Sequence, residues 1–506
     1  MATQQAMSPQ TLLQRLKSSL QHSSVVGQKF LPRSSLNDLI TEEAVRNELP
    51  RSLMSRMFSD GLPSEVVENG KRLFAILVMI GEPQAIRKLV SDGLTDDDLP
   101  FARPEQVDSG SILESKRKKK VKSFQDWRND AKVDIFLDKQ WLFLAPVLDL
   151  SGGSETVDAQ CPLPFLRATA VRGTHSSTVY KSELHVAHQK GARAQNSNLL
   201  VAVKVFQKTD ADVLFEKERK NLQKTRGIDD RHLIQHLFCC ERKPSYFIVF
   251  PWADGGNLRD FWKLHTSDQG FLLWSLQQML GISGALRKLH DMNCRHGDLK
   301  PANILYFKHG GLGNLVIADV GVSKVHKYAT NLREGATNEK ATTPAYEPPE
   351  AFEKTNKPRP RRYDIWSMAC IYLEFIVWIV HGFDAVASFA SSRDEPNANF
   401  FRFRGTVPEI HPSVMEAITA LRHDPRCKGD TALAAIINLI TEHLLRLQVD
   451  DRVTAEVLYN KLDVIVQRAN RDPSFITRQV GRVPATPDIF RSTGPVFDGP
   501  TSTYSW

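Results

Sequence analysis

Residues 295 to 321 constrain this chain more than any other stretch. They begin Arg295-His296-Gly297-Asp298-Leu299-Lys300-Pro301-Ala302-Asn303-Ile304-Leu305 and continue, after a short spacer, with Ile317-Ala318-Asp319-Val320-Gly321. An Asp, a Lys two residues on and an Asn five residues on share one loop, and a second Asp follows twenty-one residues after the first. Apolar residues flank both groups, so each carboxylate is expected beside a short strand that holds it rigidly. Phosphoryl transfer from a nucleotide needs such parts. It takes a carboxylate to orient the attacking hydroxyl, a cation near the moving phosphate, and an amide oxygen and second carboxylate to hold Mg²⁺. Most Asp residues lie in surface turns, but an ordered set of this kind rarely arises that way.

The stretch resembles the catalytic loop and metal-binding motif of the protein kinase family, H-R-D-L-x-x-x-N and D-F-G. Gly297 stands where the family usually has Arg, and Val320 where it has Phe. His-Gly-Asp is also typical of small-molecule kinases, so the loop alone leaves the phosphate acceptor open.

Other segments extend the resemblance. Val201-Ala202-Val203-Lys204 is similar to the family's V-A-I-K strand; alternation puts Ala202 and Lys204 on one face, toward adenine and the α/β-phosphates. The next helix presents Glu218 beside Phe215 and Leu222, the place of the family's Lys–Glu pair; Glu216 is its rival. The phosphate-covering loop departs furthest. Aligned on Val179, its three glycine positions hold Arg172, Thr174 and Ser177, with Gly173 one place off. Tyr246 to Trp252 resembles the segment between lobes, where the Pro251 carbonyl and the Ala253 N–H would meet adenine.

The acceptor is decided after Asp319. Thr342-Thr343-Pro344-Ala345-Tyr346-Glu347-Pro348-Pro349-Glu350 resembles the end of a protein kinase activation segment. Tyr363-Asp364-Ile365-Trp366-Ser367 resembles the start of the family's central helix, where Asp364 would accept from catalytic-loop N–H groups. Arg452 fits the partner of Glu350. Small-molecule kinases lack this platform, which favours a protein acceptor. Lys300 and Thr343 resemble Ser/Thr-specific members, and Gln140-Trp141 and Leu163-Pro164-Phe165 are similar to kinases of filamentous fungi.

The resemblance implies an α+β, bilobal protein-kinase-like fold over residues 165–470. A small antiparallel β lobe with one helix (165–252) would precede a large helical lobe (253–470). Strands are expected near 167–173, 177–186, 199–207, 233–240 and 246–252. Residues 1–112 carry helical spacing at Leu12, Leu13, Leu16 and Leu20 and at Leu73, Ile76, Leu77 and Ile80. Helix starts are expected at Thr41-Glu42-Glu43 and Ser64-Glu65, giving a helical accessory region with a possible protein partner. Residues 113–160 read as a basic linker and lead-in segment. Six of the seven residues from Lys116 to Lys122 are basic, a nuclear-import signal, an anionic docking patch or a solvated linker at a domain boundary; Trp141 to Val147 reads as a strand and 149–160 as a loop. Residues 471–506 read as a disordered tail.

At 506 residues two to three domains are expected. Hydrophobic and charged contents of 41% and 25% are those of a globular protein; a net charge of +8, a modest part of it in one short run, is weak evidence for nucleic acid binding, and no nucleic-acid partner is expected. The six cysteines show no C-x-x-C spacing and read as buried thiols of a reducing compartment. Residues 1–20 lack an apolar signal core, and the apolar run 365–380 falls short of a membrane span, so an intracellular, cytoplasmic or nuclear protein is expected.

The resemblance implies that Asp298 orients the acceptor hydroxyl and Lys300 neutralises the transferring phosphoryl. Asn303 and Asp319 would hold Mg²⁺, and Lys204 and Glu218, with Gly173, Val179, Ala202 and Ala253, would hold ATP. His296 is expected to pack and hydrogen-bond rather than act as a base. Gly297 cannot pair with an activation-segment phosphate, so activity is not expected to require phosphorylation of Thr330, Thr337 or Thr342 by that route. The competing reading, motivated by the glycine-poor loop, is a pseudokinase scaffold that binds partners without turnover.

Overall fold

A computed structural model describes residues 10–49, 61–104, 113–124, 130–173, 177–207, 210–266, 269–308, 310–320, 344–352, 359–393, 398–477 and 485–491. They divide into two units, Met1–Asp212 with His236–Trp252, and Val213–Gln235 with Ala253–Trp506.

In the first unit, a helical region is built around Lys71–Met79. In this segment, KRLFAILVM, every residue from Leu73 on is apolar, and Leu73 to Leu77 are fully buried. Gly70 gives its N-terminus no side-chain cap; Asp96 supplies one, accepting from the N–H groups of Arg72 and Leu73 at 2.9 and 3.0 Å. Burial pushes the Asp96 carboxyl up to about 6, against the pull of those two bonds. Thr41 caps Glu42–Glu48 through the Ala44 N–H, whereas Ser64 lies inside Gly61–Asn69 rather than at its start.

The core of this region runs from Leu12 to Phe143, beyond the boundary expected near 113. The basic run closes a hairpin between strands Leu113–Ser115 and Lys120–Val121, and Leu113 and Val121 are buried in that core. Arg117 pairs with Asp97 at 2.7 Å, Lys118 with Glu114 at 3.1 Å and Lys119 with Asp98 at 3.2 Å. Two buried apolar residues in so short a hairpin leave little period-2 signal among lysines. The run expected as a strand at 141–147 begins instead as a 3₁₀ turn, Gln140–Phe143, after the helix Asp130–Lys139. The buried Gln140 amide fixes that turn by bonding both the N–H and the C=O of Phe101, at 2.8 and 3.0 Å.

The same unit holds a six-stranded sheet in the order Gly153–Thr156, Phe238–Arg242, Ser245–Pro251, Leu199–Phe206, Ser177–Leu184, Phe165–Gly173. Only Gly153–Thr156 is parallel to its neighbour; it lies in a stretch expected as loop, and its exposed Gly-Ser-Glu-Thr carries no apolar alternation. The fourth expected strand, near 233–240, is observed at Phe238–Arg242. Val201, Val203 and Val205 bury one face of the sheet against Leu148, Leu163, Phe247 and Val249. The sheet is tied to the helical region. Ser24 N–H donates to Phe165 O at 3.0 Å, and Arg242 donates to Gln28 at 3.0 Å. His188 accepts from the Arg33 N–H through Nε2 (3.1 Å) and donates to Pro146 O through Nδ1 (2.9 Å). Burial pushes this imidazole down to about 4.

The second unit is organised by helix Tyr363–His381, whose residues from Tyr363 to Val380 are all buried. It is the one helix among the described residues long and apolar enough to cross a membrane, and it lies entirely inside the protein. Helices Leu258–Leu264, Gln269–Asp291, Pro412–His423, Ala432–Leu439 and Ala455–Arg471 contribute to the core around it. Tyr372 OH donates to Met279 O at 2.7 Å, and Trp378 Nε1 to Trp262 O at 2.9 Å. Part of the expected tail belongs to this core: Phe490 is buried beside His381 and Phe389.

Candidate active site

Asp298, Lys300 and Asn303 meet in the loop between helix Gln269–Asp291 and strand Ile304–Phe307. Lys300 Nζ donates to both Asp298 carboxylate oxygens, at 3.1 and 2.8 Å. The Asn303 amide nitrogen donates to the Asp298 carbonyl (2.8 Å) and carboxylate (2.9 Å). The Asn303 amide oxygen is buried with no hydrogen-bond partner among the described residues. A buried amide oxygen so oriented fits a hard cation, and Asp319 brings a carboxylate nearby, because Ala318 N–H donates to Asn303 O at 2.9 Å. Strand pairing of Ile304 with Ile317 holds the two segments in that register.

The loop is anchored from below. Asp364, fully buried, accepts from the N–H groups of His296 (2.9 Å) and Gly297 (2.7 Å) and from His290 Nε2 (2.9 Å). Gly297 sits at φ +79, in the left-handed region, which is a physical reason for glycine at this position. Asp319 also takes a positive φ, +58. His296 is buried; its Nε2 donates to Ala318 O at 2.8 Å and its Nδ1 accepts from the Asp298 N–H at 3.3 Å, so both ring nitrogens are engaged in holding the loop.

Glu350 and Arg452 form a buried two-pronged pair at 2.6 and 2.8 Å, and Arg452 also donates to the carbonyls of Arg446 and Leu447. A second buried network was not foreseen. Tyr346 OH donates to Glu374 at 2.6 Å, Arg393 donates to the other Glu374 oxygen at 2.9 Å, and Ser367 Oγ donates to Tyr346 O at 2.8 Å. Burial, then the Glu374 charge, pushes the Tyr346 hydroxyl well up, so it remains a donor. The signal in the sequence was Glu374 itself, alone among apolar residues.

The nucleotide-side residues are carried by different elements. Ala202 and Lys204 share one face of strand Leu199–Phe206, opposite the buried valines, and Val179 lies directly across from Lys204. Lys204 is 9% exposed. Gly173 ends its strand exposed, and a Cβ there would meet nothing within 4 Å. Thr174 lies outside the described residues, as do Thr330, Thr337, Thr342 and Thr343. Ala253 is buried and its carbonyl accepts from Gly256 N–H at 3.3 Å. On helix Ala211–Thr225, Glu218 is buried, as are Phe215 and Leu222, whereas Glu216 forms a partly exposed pair with Arg219 at 2.8 Å. Lys204 belongs to the first unit and Glu218 to the second.

Residues 186–461 match the family model of the protein kinase domain. Over 173 residues the chain is 28% identical to a calcium/calmodulin-dependent protein kinase of Metarhizium anisopliae, covering 34% of this chain and 43% of that protein. It is 29% identical over 181 residues to the serine/threonine-protein kinase STY17 of Arabidopsis thaliana, covering 35% and 29%. With human serine/threonine-protein kinase Nek5 the identity is 33% over 132 residues, covering 25% and 17%. The chain thus spans less than half the length of these curated relatives.

Proposed function

The chain belongs to the protein kinase family, and from that membership we propose that it transfers the γ-phosphoryl group of ATP to serine or threonine hydroxyls of proteins. The observation that carries the reading is the Asp298–Lys300–Asn303 cluster, with its shared hydrogen bonds and its unpartnered amide oxygen. Asp298 orients the acceptor hydroxyl and takes its proton; Lys300, already beside that carboxylate, lies where charge develops on the moving phosphoryl. Asn303 and Asp319 are the residues to hold Mg²⁺, which when bound neutralises phosphate charge. Asp364 and His296 act through the loop and position Asp298. Lys204, Glu218, Val179 and Ala202 serve the nucleotide. Localisation inside the cell belongs to the same proposal, and microscopy of a tagged chain tests it.

A pseudokinase is the second reading, supported by Arg172, Thr174 and Ser177 at the glycine positions. Labelled Mg·ATP, a generic basic protein and the Asp298→Asn variant separate the two. Transfer by the native chain that is lost in the variant supports the kinase, and phosphoamino-acid analysis then tests the Ser/Thr assignment. A thermal shift with Mg·ATP but no transfer supports the scaffold.

A further inference from the structure

The sheet face that carries Ala202 and Lys204 holds a second lysine. Residues directly opposite one another in antiparallel strands point to the same side, so pairing sets this face out in rows. Val179, Lys204 and Ile248 form one row, and Lys181, Ala202 and Phe250 the next. The third holds Glu183 and Leu200 and ends at Trp252, whose N–H donates to Leu200 O at 3.4 Å. The half-buried Lys181 leaves its own row to meet this third one: its Nζ lies 4.9 Å from the centre of the Trp252 ring. Ammonium and indole thus meet across the middle strand, at the end of the face removed from Lys204. Beyond the indole, the Lys181 ammonium has no hydrogen-bond or ion-pair partner among the described residues. The carboxylate on its own strand, Glu183, is taken by Arg167 and Asn198, each at 3.4 Å. An indole face engages one side of an ammonium and leaves N–H donors for an acceptor. A long stem already held in place also has less entropy to lose when a ligand binds.

We propose that Lys181, steadied by Trp252, is a second nucleotide-binding lysine, and that it holds the base and ribose through their hydrogen-bond acceptors. With Ala202 toward adenine and Lys204 toward the α/β-phosphates, an ammonium beyond Ala202 and away from Lys204 stands at the base end. Adenine ring nitrogens and ribose hydroxyls are the acceptors there. A chain with Arg172, Thr174 and Ser177 at its glycine positions offers its phosphates a less pliant backbone, and a cation at the base supplies affinity that does not depend on them. Lys181 touches no reacting atom; its part is binding. The inference rests on the nucleotide site of the kinase reading, and not on turnover.

The test titrates the full chain in a calorimeter with Mg·ATP, with adenosine, which has no phosphate, and with Mg·tripolyphosphate, which has no base. Lys181→Met keeps the stem and removes the charge. It is expected to weaken adenosine and ATP by the same factor, roughly tenfold, and to leave tripolyphosphate unchanged. Lys204→Met should do the reverse, weakening ATP and tripolyphosphate and sparing adenosine. Lys181→Arg should retain most of the adenosine affinity, and Lys181→Gln is a second neutral variant; thermal midpoints verify that each folds. Undiminished adenosine binding in the folded neutral variants overturns the proposal. So does a loss confined to ATP and tripolyphosphate, which would put Lys181 at the phosphates. Tighter adenosine binding overturns it as well, by showing that the Lys181–Trp252 contact obstructs the base. Adenosine binding that depends on Lys181 in a chain that transfers no phosphate supports the inference and removes the kinase reading. A native chain that binds none of the three overturns the inference together with its nucleotide site.

Discussion

The catalytic loop and the strand Leu199–Phe206 hold their functional groups in opposite ways. In the loop, fixed positions come from polar bonds: Asp298 is held by Lys300 and Asn303, and the backbone beneath it by Asp364 and His296. In the strand, Lys204 and Ala202 are aimed by apolar register, the valines on the other face packing into the sheet core. A polar scaffold depends on individual atoms and fails when one is removed. An apolar scaffold spreads its hold over many contacts and tolerates exchange of similar volume. The loop is therefore where single substitutions should act most sharply.

The largest effect tests the loop's chemistry. Asp298→Asn keeps the shape and one acceptor oxygen but removes the base, and transfer should fall about 10²–10⁴-fold with the thermal midpoint little changed. Equal loss of midpoint and rate would mean that Asp298 is structural.

Arg452→Met leaves the Glu350 carboxylate buried without its pair. Unfolding in urea should show a loss of about 3–5 kcal/mol. A loss under 1 kcal/mol would indicate that the apolar core, not the polar scaffold, carries this part of the second unit.

His188 tests a polar hold inside the apolar unit. Its folded pKa lies below the unfolded value of 6.5, at about 4, so its contribution is present above pH 6.5 and is lost as pH falls through about 4. The full shift corresponds to about 3 kcal/mol. His188→Gln keeps a donor and an acceptor but does not titrate, and should flatten stability over that window. Asp96 has the opposite sign, its contribution being complete below 3.8 and lost as pH rises through about 6. The difference between native and His188→Gln curves isolates the imidazole.

Gly297→Ala puts a Cβ on a left-handed backbone and should cost about 1–2 kcal/mol by denaturant titration. A neutral result would show that the loop relaxes. The smallest expected effect is none: replacing Thr330, Thr337 and Thr342 together by Ala should leave turnover intact, because Gly297 offers no guanidinium to a phosphate. Lost turnover with an intact fold would sink that idea.

The loop was legible because its chemistry needs fixed residue types at short spacing; Asp298, Lys300 and Asn303 lie within six positions. The sheet was legible where alternation is dense, as in Leu199–Phe206. What escaped depends on distant partners. Gln140 is explained only by Phe101, thirty-nine residues away, and Glu374 only by Tyr346 and Arg393. Gly153–Thr156 is a strand because Phe238–Arg242 lies beside it, a condition that no local pattern states. Phe490 is buried by the core it reaches, although the surrounding composition reads as tail.

A boundary drawn by family likeness and one drawn by folding differ in this chain. The match to the family model begins at residue 186, after strands Phe165–Gly173 and Ser177–Leu184 have joined the sheet. A fragment cut there would leave Leu199–Phe206 as a raw edge, its N–H and C=O groups open to a second chain along an almost wholly apolar strand. Extending the cut to include those two strands still severs Ser24 from Phe165 and Gln28 from Arg242. A piece that keeps both of these ties therefore starts upstream of Ser24, close to the first helix, Leu12–Ser18, and well before residue 186.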